Sequence, residues 1–329
     1  MQCGQLKRRE FVTLLGGVAA WPLATHAQQG ATQVVGFVYP GTPELSTGVV
    51  AAFRKGLVEA GFVEGRNVAV EFRFAYGDNG RLPELMAELV HRRVAVIVTP
   101  GSTQAALAAK AATTSIPVVF SVGTDPVEIG LVTSLSHPGG NVTGITSLNS
   151  ELAAKRLELM LQLLPNAVRF AALVNPSSRN AEALTRDAQA AASTIGRQVE
   201  ILAASTPREI DAAFASAVQK RSDALVVSPE PLLDNRRVQL VTLAAHQRLP
   251  AIFRENVEIG GLMSYGSNAG ERDRQVGLYA GRILKGEAAA NLPVMRAAKF
   301  EFVFNLQTAR ALGLDVPTTL LAQADQVIE

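Results

Sequence analysis

IPVVFSVGTDPVEIGLVTSLSHPGGNVTGIT, residues 116–146, holds two short apolar runs on either side of a polar, glycine-rich middle. The first run, 117–121, is rich in β-branched residues and is closed by Gly123, Asp125 and Pro126, so it reads as a buried strand ending in a sharp loop. Asp125 places one carboxylate in that loop. Ile129, Val132 and Leu135 then recur near helical spacing until Ser136, His137 and Pro138 stop the run, which predicts a helix beginning near Val127. Gly139 and Gly140 turn the chain, and 141–145 suits another short strand. The pattern changes after Thr146 as if a second unit begins there, which sets the Asp125 loop just before a crossing between two halves.

The same alternation continues in both directions. Upstream, strands are predicted at 34–39, 67–74 and 94–98 and helices at 49–57 and 104–112, the latter opened by Gly101-Ser102-Thr103. Between them Leu82, Leu85, Met86, Leu89 and Val90 fall at i, i+3, i+4, i+7 and i+8, a helix stripe. Downstream, Leu157, Met160, Leu161 and Leu164 mark a helix; strands at 170–174, 199–202, 224–227 and 251–253 alternate with helices at 181–195, 207–219 and 232–246. Strand–helix–strand repetition means right-handed crossovers and parallel sheets covered on both faces. A chain of 329 residues exceeds the usual size of one core. The expected fold is α/β, with two doubly wound parallel-sheet lobes on a short hinge. Beyond a strand at 261–265, a polar helix at 268–285, a strand at 299–304 and a short helix at 306–312 stopped by Gly313 either cap the second lobe or return to the first and recross.

Apolar residues make up 48% of the chain and charged residues 18%, the balance of a folded, core-forming protein. Residues 1–27 read as an export signal: Lys7, Arg8 and Arg9, an apolar stretch at 11–23 broken by Gly16, Gly17 and Pro22, and small residues at Thr25 and Ala27. That stretch falls short of the roughly 20 residues a membrane span needs, so cleavage before Gln28 is expected. Arg8-Arg9-Glu10-Phe11-Val12 resembles the twin-arginine pattern, which would export a folded chain. Cys3, the only cysteine, leaves with the signal and is no lipobox cysteine, so neither disulfide nor thiol chemistry is expected. The signal also removes three basic residues and one acidic residue from totals of 31 and 29, leaving a net charge near zero and no basic surplus for a nucleic-acid partner.

Motifs for catalysis are missing. The chain has no G-x-x-x-x-G-K-[ST], G-x-G-x-x-G after the first strand, G-x-S-x-G or H-E-x-x-H. His91, His137 and His246 are scattered, against a metal site or a triad, and no cofactor is expected. Gly139-Gly140-Asn141 follows a proline and precedes a strand, so it reads as a tight turn rather than a phosphate loop. What remains are loops at the carboxyl ends of strands, where parallel sheets bind ligands. Candidate ligand-binding residues are Gly41, Thr42, Tyr76, Ser102, Thr103, Thr124, Asp125, Asn175, Ser177, Ser178, Glu230 and Tyr265. Small, hydroxylic and amide-rich, they suit hydrogen bonding to a small polar solute better than bond-breaking. Ser102, Thr103 and Ser178 would also be favoured as ordinary helix starts. Asp125 is the expected partner for an ammonium group, with the amides of Ser102 and Thr103 for a carboxylate; the competing reading makes Asp125 a helix cap.

The segments KRREFVTLLGG, FSVGTDPVEIGLVTSLSHPGGNVTGIT, ALVVSPEPLLDNRR, RLPAIFRENVEIGGLMSYG and KFEFVFNLQTARALGLDVPTTLLAQADQVIE together resemble the periplasmic substrate-binding proteins of the tryptophan/tyrosine-type ABC-transporter family. The resemblance spans essentially the whole chain. It implies lobes joined by three crossovers near Thr146, Tyr265 and Asn291, with 28–146 plus 267–291 forming lobe 1 and 147–266 plus 292–329 forming lobe 2. It implies a monomeric, non-enzymatic periplasmic receptor that closes on an amino-acid-like or organic-acid solute and delivers it to an inner-membrane permease. An exported sensing module for a signalling partner is the alternative on the same fold.

Overall fold

Strands whose every residue is apolar or small need cover on both faces, and that requirement shapes both lobes. The structure, a computed structural model, describes residues 32–147, 152–178, 181–255, 257–297 and 299–329. The export signal expected at 1–27, with Cys3, lies outside the described residues. Lobe 1 begins β1 (Gln33–Tyr39), α1 (Thr47–Glu59), β2 (Val68–Phe74), α2 (Leu82–His91), β3 (Val96–Thr99), α3 (Thr103–Ala112), β4 (Val118–Val122) and β5 (Val142–Thr146). All residues of β3, β4 and β5 are buried. Alternate side chains go to opposite faces: Ile97 and Phe120 meet Leu85, Met86 and Leu89 of α2, while Val96, Val98 and Val119 meet Phe53 and Leu57 of α1.

Lobe 2 continues with α4 (Ala153–Leu163), β6 (Arg169–Val174), α5 (Ala181–Thr194), β7 (Gln198–Ala203), α6 (Pro207–Gln219), β8 (Ala224–Val227), α7 (Pro231–Asn235), α8 (Arg237–His246), β9 (Ala251–Phe253) and β10 (Met263–Ser267). Then α9 (Ala269–Leu284) goes back to lobe 1, where Val276, Tyr279, Ala280 and Ile283 complete the core beside α1. β11 (Met295–Arg296) pairs parallel with β5. The chain finally recrosses to lobe 2 as β12 (Phe300–Asn305), antiparallel to β10, followed by α10 (Leu306–Leu312), α11 (Thr318–Leu321) and β13 (Gln326–Ile328). The sheets run β11-β5-β4-β3-β1-β2 and β13-β12-β10-β9-β8-β6-β7. The crossing segments lie side by side, since Ala297 N donates to Thr146 O at 2.8 Å and Asn268 N to Lys299 O at 3.0 Å.

Three local expectations differ from the structure. The third crossing follows Arg296 rather than Asn291, because Leu292 and Val294 are buried in lobe 1 and β11 extends its sheet. The helix expected from Val127 is a set of turns: Leu131 N and Val132 N both bond to Pro126 O, and Gly130 takes a left-handed φ of 68°. Its apolar spacing still buries Leu131 and Val132 in the core. The single helix expected over 232–246 is divided at Arg236, which leaves helical geometry with φ −100° and ψ 19°. Among the described residues no helix is long and apolar enough to cross a membrane.

Candidate functional site

Where β3 ends, Gly101 turns the chain with φ 71° and its N–H bonds to Ser121 Oγ at 2.9 Å, tying this loop to β4. Ser102 caps α3 by accepting from Ala105 N at 3.1 Å. Thr103 and Gln104 follow as the first residues of α3, where backbone amides have no intrahelical acceptor. From lobe 2, Glu230 follows β8 and opens α7: Oε1 accepts from Leu233 N and Oε2 from Asn175 Nδ2, both at 3.1 Å.

These ends face one another across a small cavity of about 40 Å³. Lobe 1 lines it with Gly101, Thr103, Gln104, Ser121, Val122 and Gly123, and beside them stands Ser147, just past β5. Ser178, Pro229, Glu230, Asp234 and Arg254 line it from lobe 2, with Arg272 from the first turn of α9. Thus Thr103, Ser178 and Glu230 of the expected residues come together. Ser102 and Asn175 stand behind them in support.

The others are placed elsewhere. Thr124 is buried beneath Thr103, hydroxyl to hydroxyl at 3.3 Å, and its carbonyl accepts from Thr146 Oγ1 at 2.7 Å. Asp125 turns its Oδ1 to the amides of Val127 at 2.8 Å and Glu128 at 3.4 Å, outside the cavity lining. Ser177 is exposed, its amide on Asn175 Oδ1 at 3.0 Å. Gly41 lies against Asn235 of α7, and Thr42 bonds to Glu44. Tyr76 is 58% exposed with the Arg81 guanidinium 5.3 Å from its ring. The Tyr265 ring stacks on Phe300 at 6.1 Å.

Along the cavity wall runs a partly buried ion cluster that the loop-based reading missed. Arg254 Nη2 bridges Asp234 Oδ2 at 3.0 Å and Glu255 Oε1 at 2.7 Å. Arg272 forks onto Asp273 through Nε–Oδ1 at 3.0 Å and Nη2–Oδ2 at 3.1 Å. Among the described residues Arg156 pairs with no carboxylate: its Nε donates to Tyr265 O at 2.8 Å, and its Nη2 and the Nε of Arg254 have no hydrogen-bond partner there. A sequence signal existed for one member, since Arg254-Glu255 directly follows the apolar run of β9 and so occupies a strand end. Arg156, Asp234 and Arg272 sit on helices, where no local pattern distinguishes them from solvated charges.

Burial sets the electrostatics. It pushes Glu230 up to about 7, only partly offset by its bonds to Asn175 and the Leu233 amide. The same cause raises Asp234 and Asp273 against the pull of Arg254 and Arg272. Burial and then the charge of Arg254 lower Arg156 to about 10. In Arg254 burial opposes the charge, but Asp234 and Glu255 outweigh it and hold the guanidinium ionised. Among the described residues no group of three or more His, Cys, Asp or Glu is placed to hold a metal.

A cleft between two such lobes, lined by strand ends, is a solute-binding arrangement, and residues 43–328 match the family of ABC transporter substrate-binding proteins. The chain belongs to that family. It is a solute-binding protein of ABC transport, not an enzyme. It is 30% identical over 264 residues to the tyrosine-binding protein of Clostridioides difficile (strain R20291), covering 80% of this chain and 75% of that protein. A domain from Streptococcus pneumonia in complex with L-Trp superposes with a TM-score of 0.83 at 26% identity, over 91% of this chain and 100% of that one. A ligand-free, open substrate-binding protein with adhesive properties from Clostridium difficile, also 26% identical, superposes at 0.66 over 90% of this chain and 99% of that one. At equal identity the whole-chain superposition is closer to the L-Trp complex than to the ligand-free, open protein.

Proposed function

We propose that the protein is a periplasmic receptor for an α-amino acid, which it delivers to an inner-membrane permease. Glu230 carries this reading: it is a carboxylate only 5% exposed that lines the cavity with no cation paired to it among the described residues. A carboxylate offers about four acceptor positions, and two structural bonds leave room for an ammonium group. Across the cavity the Thr103 and Gln104 amides, at the positive end of the α3 dipole, are placed for a carboxylate. Opposite charges on opposite lobes match a zwitterion, so binding and lobe closure become one event. The relatives, one named tyrosine-binding and one holding L-Trp, support the amino-acid class. The apolar stretch and basic start at 1–27 support export.

Calorimetric titration of Glu230→Gln tests the reading. Glutamine keeps an oxygen for the Leu233 amide and loses the charge. Losing one partner of a desolvated pair typically costs about 2–5 kcal/mol, roughly 30-fold to several thousandfold in affinity. A Gln variant that binds an amino acid as tightly as the wild type removes the basis of the proposal.

A further inference from the structure

We infer that Arg272, in the first turn of α9, is the charged partner of the solute's main-chain carboxylate, so that one solute is held between Arg272 of lobe 1 and Glu230 of lobe 2. This rests on the amino-acid reading above and adds to it the residue that recognises the acid group. The amides at the start of α3 can receive a carboxylate, but a helix end supplies only about half an elementary charge. A guanidinium brings a whole charge and a planar set of donors that fits a carboxylate.

Arg272 lines the cavity although it is only 6% exposed. Asp273 takes two of its nitrogens, Nε at 3.0 Å and Nη2 at 3.1 Å, and does not itself line the cavity. That fork fixes the plane of the guanidinium. The third nitrogen, Nη1, makes no hydrogen bond among the described residues, and unlike Nη2 of Arg156 or Nε of Arg254 it is not sealed in the interior. It is therefore the nitrogen left to face the cavity, where an acceptor on the solute would satisfy it.

The other two buried guanidinia are committed elsewhere. Arg156 does not line the cavity. Arg254 Nη2 already holds two carboxylates, Asp234 and Glu255, whose charge would oppose a third. On the lobe 2 wall Asp234 answers Arg254, which leaves Glu230 without a cation; on the lobe 1 wall Arg272 is the one charged side chain among the described residues. Asp273 tempers that charge from behind without reaching the cavity. The two walls thus carry opposite signs, an order that sends the ammonium to Glu230 and the carboxylate to α9 and α3.

The exported protein, unfolded and refolded to strip bound solute, is screened by thermal shift against each of the twenty amino acids, and the tightest binder and its carboxamide are then titrated by calorimetry. The wild type should bind the acid roughly 30-fold or more tightly than the amide, the low end of what one lost partner of a desolvated charge pair costs. Arg272→Gln combined with Asp273→Asn removes both charges of the buried pair, so that neither is left alone. This variant should lose about tenfold or more of the acid's affinity and hold the amide's within about threefold. Arg272→Lys keeps a cation on Asp273 without the fork; it serves where the double variant fails to fold, and its acid-to-amide ratio should fall in the same direction. A wild-type ratio in either folded variant overturns the assignment and leaves the amino-acid receptor standing, as does a wild type that binds acid and amide alike. Glu230→Gln should weaken acid and amide together and preserve their ratio, which separates the two ends of the solute. Failure of all twenty amino acids to bind overturns the receptor reading, and this inference with it.

Discussion

Glu230 joins structural and ligand roles in one side chain, and pH separates them. Its folded pKa of about 7 lies above the ordinary 4.5, so between these values the folded state binds more protons than the unfolded one. Stability of the ligand-free protein should therefore rise as pH falls from about 8 to about 5, with Asp234 and Asp273, both raised, acting in the same direction. Pairing with an ammonium needs the ionised form, so amino-acid affinity should fall along the same path, by about tenfold per pH unit below 7. Melting temperature and calorimetric Kd across this range check both signs; affinity that is flat in pH rejects Glu230 as the ammonium partner. Asp125 is the contrasting residue. Its place at a strand end was legible in the sequence, and the amides of Val127 and Glu128 that occupy it are the kind of partners the competing cap reading expects. Asp125→Ala should lower stability by about 1 kcal/mol, the scale of a lost cap, and leave affinity unchanged. A large loss of affinity with an unaltered melting temperature would restore Asp125 to the site.

Helix α9 shows what period and composition reveal about an element. Its apolar face, Val276, Tyr279, Ala280 and Ile283, is plain in the sequence and is buried as that spacing requires. Which lobe receives it is not plain, because one apolar stripe fits either core, and only the family resemblance pointed to lobe 1. The decisive feature is glycine. A Cβ at Gly277 would stand 2.1 Å from Phe53 O, and one at Gly56 would stand 1.9 Å from Arg274 O, so α1 and α9 pack backbone to backbone. Backbone cannot give way as a side-chain tip can. Gly277→Ala should destabilise by about 3 kcal/mol or more, at the upper end of overpacking costs, read as a lower urea midpoint. Alanine is the better helix former, so an unchanged or raised midpoint would show that the helices can part without cost. Elsewhere the periodicity misled: 127–135 has helical spacing, but Gly130 and paired bonds to Pro126 O make it a turn whose apolar residues still reach the core.

For the molecule as a whole, α/β class and two lobes follow from alternating strands and helices, whereas the contacts between lobes depend on residues with no local signature. Asn235 of α7 is one. Its amide lies over Gly41 and beside Gly77, two glycines of lobe 1 at the ends of β1 and β2. On the other side of the cleft Arg186 approaches Glu128 at 3.8 Å with both side chains largely exposed, a pair of the kind that contributes about 0–1 kcal/mol. The glycine contact is therefore the better control of closure. A Cβ at position 41 would stand 2.8 Å from Asn235 Oδ1 and also 2.8 Å from the Tyr39 ring, so Gly41→Ala strains both the closed pair of lobes and its own loop. Pairing it with Asn235→Ala separates the two effects. If the strain falls on closure, Gly41→Ala should disfavour the closed form by about 1–2 kcal/mol and weaken binding roughly 5- to 30-fold. Small-angle scattering at a fixed, wild-type-saturating solute concentration should then give a larger radius of gyration than the wild type. Adding Asn235→Ala should restore most of the affinity and the compaction. If the double variant binds as weakly as Gly41→Ala alone, the damage lies at Tyr39, within lobe 1, and Asn235 has no part in holding the lobes together.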